Sequence, residues 1–138
     1  MSNNQANQHN SLSKESSSDL SSLYESKLAL LDKLISDIDQ QVSKRKLMQE
    51  LFSREISDLI SEVNTQIEHF KFQENPTWVS FTSRMQIFCF ELELRKKEEG
   101  MRAWSDVQVL LRERREVERE KMEIERRLKA VGEDAEGR

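Results

Sequence analysis

Apolar residues recur at alternating steps of three and four from Leu28 to Phe70. The run is Leu28, Leu31, Ile35, Ile38 and Val42, then Arg45 and Gln49, then Phe52, Ile56, Leu59, Val63, Gln66 and Phe70. A seam of this period is the mark of a long helix that buries one narrow stripe against another helix. Ser22 followed by Glu25 fits a capping box, in which each side chain satisfies the other residue's free backbone N–H. The first helix is therefore expected over about residues 20–72. At about 1.5 Å per residue it would be roughly 75 Å long.

The strongest interruption follows at Gln73, Glu74, Asn75 and Pro76. Asn75 suits a helix cap, and Pro76 suits the first turn, where its fixed φ and missing N–H do no harm. A second helix is expected over about 76–131, with Gly132 as its C-terminal stop. Its first part carries Trp78, Phe81, Met85, Phe88 and Leu92 at the same alternating steps, broadened by Ile87, Phe90 and Leu94. Its later part follows a shifted register through Ala103, Val107, Leu110, Arg114, Val117, Lys121, Ile124, Leu128 and Val131. Opposite charges stand four apart along it, as in Arg112 with Glu116, Arg114 with Glu118, Arg119 with Glu123, and Glu125 with Lys129. Each exposed pair of this kind contributes about 0.2–0.5 kcal/mol.

Two helices of similar length joined by a short connection pack most simply as antiparallel neighbours. The expected fold is all-α: a long antiparallel helical hairpin or coiled coil over residues 20–131. An Asn/Gln/Ser-rich tail over 1–19 is too polar to offset its ordering entropy by burial and is expected to be disordered. A polar tail occupies 132–138. Folding about residue 74 would bring Phe81 near Glu68, Phe88 near Ser61, and Trp104 near Arg45, to within a turn.

Composition supports long helices. Of 138 residues 35% are charged, and there are one proline and three glycines, so breakers are few. No run of about twenty uncharged apolar residues could span a bilayer, and no basic stretch precedes a hydrophobic block at the N-terminus. Cys89 is the sole cysteine, which excludes an internal disulfide. The expected location is the cytoplasm, with peripheral membrane contact as an alternative. The net charge of −4 is distributed without a continuous basic stretch. The clusters Lys44-Arg45-Lys46, Arg95-Lys96-Lys97, Arg112-Arg114-Arg115 and Arg126-Arg127 are mostly flanked by glutamates. Nucleic acid is therefore not an expected partner, and a basic-zipper reading fails for the same reason.

Candidate chemistry is sparse. His69, Cys89 and Glu68 contain the residue types of a nucleophile, a base and an orienting group. Two long helices would build no cleft around them, so packing or surface roles are expected. No catalytic residue, metal ligand or cofactor site is assigned. The three glycines stand alone, so no phosphate-binding loop is present. Cys89, between Phe88 and Phe90, reads as a small buried hydrophobe. Arg45 and Gln49 occupy seam positions and are candidates for specifying register and partner. Gly100 sits at the register change of the second helix and marks either a bend or a tolerated surface glycine.

Trp104-Ser-Asp106-Val-Gln108-Val-Leu-Leu111, followed by Arg115-Glu116-Val-Glu118, resembles part of the helical arm of sorting nexins with a BAR domain. The likeness extends over about residues 94–122. Those arms are usually longer three-helix units and accompany a phosphoinositide-binding domain that this sequence does not show. The resemblance implies a dimeric curved scaffold in endosomal membrane trafficking, with Arg112, Arg114 and Arg115 as candidate lipid contacts.

The leading expectation is a non-enzymatic coiled-coil subunit, homo- or hetero-oligomeric, that scaffolds a larger complex by protein–protein interaction. The candidate partner interface is the seam and aromatic patch: Leu31, Ile35, Ile38, Val42, Phe52, Ile56, Leu59, Val63, Phe70, Trp78, Phe81, Met85, Phe88, Leu92 and Trp104. A BAR-like curvature scaffold is the alternative.

Overall fold

The computed structural model describes residues 3–70 and 76–136, with side chains described over 16–70 and 77–134. Two helices make up the described chain: α1 (Asn3–Phe70) and α2 (Pro76–Glu136). They pack against each other in antiparallel sense, because partners on α2 fall in number as those on α1 rise: Asp32 pairs with Lys121 and Asp39 with Arg114. The all-α hairpin read from the sequence is thus the observed architecture.

The helix limits differ from those expected. α1 begins at Asn3, within the stretch expected to be a disordered tail, so Ser22 and Glu25 lie inside the helix and form no capping box. Extending a helix that already exists costs far less than nucleating one. The strongly patterned segment beyond Leu28 can therefore carry helix back through residues of weak propensity. At the other end Gly132 lies inside α2, and no glycine among the described residues has positive φ, so it is not the stop expected there. Pro76 does take the first position of α2, as its fixed φ favours. The linker residues Gln73, Glu74 and Asn75 lie outside the described residues.

The hairpin divides into two compact units, one of Met1–Gln40 with Leu111–Arg138 and one of Gln41–Leu110. In the first unit Leu31 and Ile38 of α1 are buried, as are Val117 and Ile124 of α2. Leu28, Ile35, Leu128 and Val131 are half-buried around them. In the second unit Val42, Val63 and Ile67 of α1 and Leu92, Ala103 and Val107 of α2 are buried. No charged or polar residue is buried in either unit, and no large side chain is fully enclosed, among the described residues. Such a thin core is what two helices sharing one stripe can build.

Within the second unit the seam departs from strict alternation. After Phe52 and Ile56 the next inward residues of α1 are Ile60, Val63, Ile67 and Phe70, while Leu59 and Gln66 are exposed. From Gln49 to Ile60 the inward positions cover eleven residues in three turns. On α2 the inward run Lys96, Glu99, Ala103 and Val107 does the same. A heptad seam drifts by about 20° per repeat on a straight helix, and an eleven-residue step removes that drift. The register change expected at Gly100 is this step: the seam continues through Lys96 and Glu99, two polar residues that a search for apolar spacing passes over.

Gly100 is half-buried in the helix interior, and a Cβ placed on it would lie 3.8 Å from Gln49 Nε2, an ordinary van der Waals separation. A Cβ on Gly132 would meet nothing within 4 Å. Gly100→Ala and Gly132→Ala should each stabilise the hairpin by about 0.8–1 kcal/mol. Thermal melts followed by circular dichroism should show both midpoints raised. A lowered midpoint for Gly100→Ala would mean that α1 needs the space beside residue 100.

Candidate functional site

Polar side chains occupy several seam positions, and the charged ones pair with groups on the facing helix, whereas the buried Thr82 hydroxyl makes no hydrogen bond. In the first unit Lys121 Nζ lies 2.7 Å from Asp32 Oδ1. One heptad away on both helices, Arg114 Nε donates to Asp39 Oδ1 at 2.7 Å. Lys27 Nζ reaches Glu120 Oε1 at 3.0 Å. Hydrogen bonds from Arg114 to Asp39 and from Lys121 to Asp32 hold both cations more firmly protonated than usual. Arg114 also pairs with Glu118 on its own helix, the one expected four-apart pair that closes. Glu123 turns instead to Arg126 and Arg127, whose hydrogen bonds lower its pKa, Arg126 contributing most. Glu125 approaches Lys121.

Arg45 holds the main polar layer of the second unit, near its limits at Gln41 and Leu110. Its side chain is only 18% exposed, with Nη2 at 2.7 Å from Glu99 Oε1 and Nε at 2.9 Å from Asp106 Oδ2. Hydrogen bonds to Asp106, then to Glu99, raise its pKa. The two acceptors are one heptad apart on α2, so a heptad slide one way puts Leu92 in the place of Glu99, whereas a slide the other way puts Asp106 and Glu113 in the places of Glu99 and Asp106. Gln49 faces Gly100 across the seam. Farther along, Lys96 Nζ donates to Ser57 Oγ at 3.0 Å, and Cys89 Sγ lies 3.8 Å from Asn64 Oδ1. These pairs agree to about a turn with the register expected from folding near residue 74. At the closed end Trp78 sits between Phe70 (ring centroids 5.1 Å apart) and Phe81 (5.3 Å).

Most of the candidate interface residues are used within the chain. Leu31, Ile35 and Ile38 face α2 in the first unit, and Val42, Phe52, Ile56, Val63, Phe70, Trp78, Met85 and Leu92 are buried or half-buried in the second. Leu59, Phe81, Phe88 and Trp104 are exposed. Thr82 and Cys89 take the inward places expected for Phe81 and Phe88. Both assignments satisfy three-four alternation, and the spacing alone ranks phenylalanine above the smaller residues. Of the candidate lipid contacts, Arg112 and Arg115 are exposed, whereas Arg114 is turned onto Asp39. His69 is exposed and set edge-on to Phe70, while Cys89 faces Asn64, so the structure does not assemble them. Among the described residues no group of three His, Cys, Asp or Glu is placed to hold a metal, and no helix is long and apolar enough to cross a membrane.

A second set of apolar positions remains uncovered. Ile87, Phe90, Leu94, Met101 and Trp104 fall at heptad spacing on α2, roughly opposite its seam, with Lys97 at the one polar position between them. Their exposure runs from 44% at Leu94 to 74% at Met101. Ile87, Phe90 and Leu94 thus do not broaden the buried face, as the sequence suggested, but form a separate one. Leu20, Leu23, Leu30 and Leu34 make a similar exposed row on α1 in the first unit. No protein-family model, curated protein or solved structure matches the chain.

The Arg45 layer predicts a non-additive pair. Arg45→Leu alone should lower the melting temperature, because Glu99 is left half-buried and without its cation. Arg45→Leu with Glu99→Leu should recover that loss, and a double-mutant cycle read by thermal melts measures the coupling. Additive effects would mean that the two charges act separately. Cys89 gives a second expectation. Burial, and then the nearby Glu93 charge, raise its thiol pKa. The folded chain thus keeps the neutral thiol to higher pH than the unfolded chain, whose thiol titrates near about 8.5. Stability should fall as pH rises above that value, and thiol labelling should need a higher pH than labelling of a free cysteine peptide.

Proposed function

We propose that the chain is a non-enzymatic assembly subunit, a helical hairpin that binds helices of partner proteins in a larger complex. The observation that carries this reading is the uncovered apolar row on α2: Ile87, Phe90, Leu94, Met101 and Trp104 keep helical register yet face away from α1. A hairpin that needed only to fold would gain nothing from heptad-spaced apolar groups on its outer side, where they invite nonspecific association. The intrachain seam supplies a scaffold on which that row is held in fixed register, and the paired charges at Arg45, Arg114 and Lys121 keep the two helices from sliding.

The curvature-scaffold alternative has weaker support. Of its three candidate lipid contacts Arg114 is engaged by Asp39, and the exposed Arg112 and Arg115 alternate with Glu113 and Glu116. A membrane-binding face gathers basic groups without such neutralisation.

Native mass measurement of the affinity-purified chain tests the proposal. The expected result is a stoichiometric complex well above the 16.3 kDa of the single chain, lost when Leu94→Glu and Met101→Glu are combined. Recovery as a lone monomer would overturn it. Salt-sensitive co-sedimentation with anionic vesicles, undiminished by that double variant, would favour the membrane scaffold instead.

A further inference from the structure

The charges beside the uncovered row of α2 bear on what can cover it. In heptad terms Ile87, Leu94 and Met101 form one line of the row, and Phe90, Lys97 and Trp104 the other. The positions that border the row on its two edges are Gln86, Glu91, Glu93, Glu98, Gly100 and Ser105. Of these the three glutamates are exposed and make no ion pair among the described residues. The edges are therefore acidic, and the one charge inside the row, Lys97, is basic. Arg95 and Arg102 stand a step farther around the helix.

This pattern opposes self-association in either direction. Two copies of the row paired antiparallel would set Glu91 against Glu98 on the same edge, twice by symmetry, and Lys97 against Leu94. Paired parallel, they would set Glu93 against Glu98 and bury Lys97 beside its own copy. Like charges across such an edge destabilise pairing, and edge charges choose the partner and its orientation. An anionic bilayer would meet the same three glutamates. Gly100 adds a shallow apolar notch bordered by Lys97, Met101, Trp104 and Ser105, a place for one side chain of an approaching helix.

We infer that the row Ile87–Trp104 is covered by one amphipathic helix of a different protein. That helix presents apolar residues to Ile87, Phe90, Leu94, Met101 and Trp104, an acidic residue to Lys97, and Lys or Arg to the glutamate-lined edges. The inference rests on the assembly reading above and adds to it the chemistry of the partner. It also gives Lys97 a function that the hairpin does not: it rejects a helix that is apolar along its whole length.

The test uses the full chain carrying Trp78→Phe, so that Trp104 is the sole tryptophan. Two synthetic helical peptides of three heptads serve as probes, with the same apolar residues. One has lysines at its edges and a glutamate in the layer of Lys97; the other has these charges reversed. The lysine-edged peptide should shift Trp104 emission to the blue and bind at least about tenfold more tightly at low salt, a difference that shrinks as salt is raised. Met101→Glu should abolish the shift while leaving the helical circular dichroism of the chain unchanged. Equal affinity for both peptides, or no shift with either, would overturn the inference. So would light scattering showing that the chain dimerises with Trp104 already buried. If the native complex is nevertheless lost on combining Leu94→Glu with Met101→Glu, the assembly reading stands and only the chemistry assigned to the partner fails.

Discussion

Everything in this chain depends on two helices having to share one narrow stripe. A stripe of that width buries few side chains completely, and none of the large ones here is fully enclosed. Hydrophobic burial holds the helices together but says little about their relative position along the axis, because a heptad slide exchanges one aliphatic layer for another. The position is instead fixed by polar groups at seam positions. Asp32 with Lys121 and Asp39 with Arg114 do this in one unit, and Arg45 with Glu99 and Asp106 does it in the other. Exposed pairs of this kind add little stability. Their effect lies in the cost of the alternatives: a heptad slide one way sets Arg114 against Lys46, and the other way sets Arg45 against Leu92.

The paired eleven-residue steps serve the same end by different means. With Gln49 to Ile60 on α1 and Lys96 to Val107 on α2 both stepping three, four and four, the two seams reset alongside each other. A step on one helix alone would turn its apolar face away from the partner. The small residues at the contact, Gly100, Ala103, Thr82 and Cys89, let α2 approach α1 while the larger aromatics stand aside. At the end near the proline, Trp78 makes tilted ring contacts with Phe70 and with Phe81.

Helix number, antiparallel sense and register within about a turn were legible in the sequence, because the period of the seam and the single proline define them. The later register of α2, from Ala103 to Val131, was legible residue by residue, since small and aliphatic residues alternate there with clearly solvated charges. The middle of the hairpin was harder. Lys96 and Glu99 are seam residues that carry charge, so a pattern built on hydrophobicity breaks where the helix does not. Leu59 and Ile60 are both apolar, and only the geometry of the facing helix chooses Ile60. Phe90 and Leu94 illustrate the same limit: helical spacing shows that residues share a face, and a second face with its own spacing looks like a widening of the first. The start of α1 and the end of α2 were misread, unlike the start of α2 at Pro76, because a good cap or a glycine is a permissive signal, whereas continuation depends on the neighbouring turns.

The two units keep their helices together with different proportions of charge and hydrocarbon. In the first, three interhelical ion pairs accompany four buried aliphatic residues; in the second, one shielded arginine at one end and an aromatic cluster at the other accompany six buried residues. Dissolved ions weaken the former kind of attraction, the more so as the screening length shrinks from about 8–10 Å at physiological salt to about 3 Å at molar salt, and leave the latter without such screening. Brine should consequently loosen the register of the first unit more than that of the second, whose segment of α2 carries the outer row.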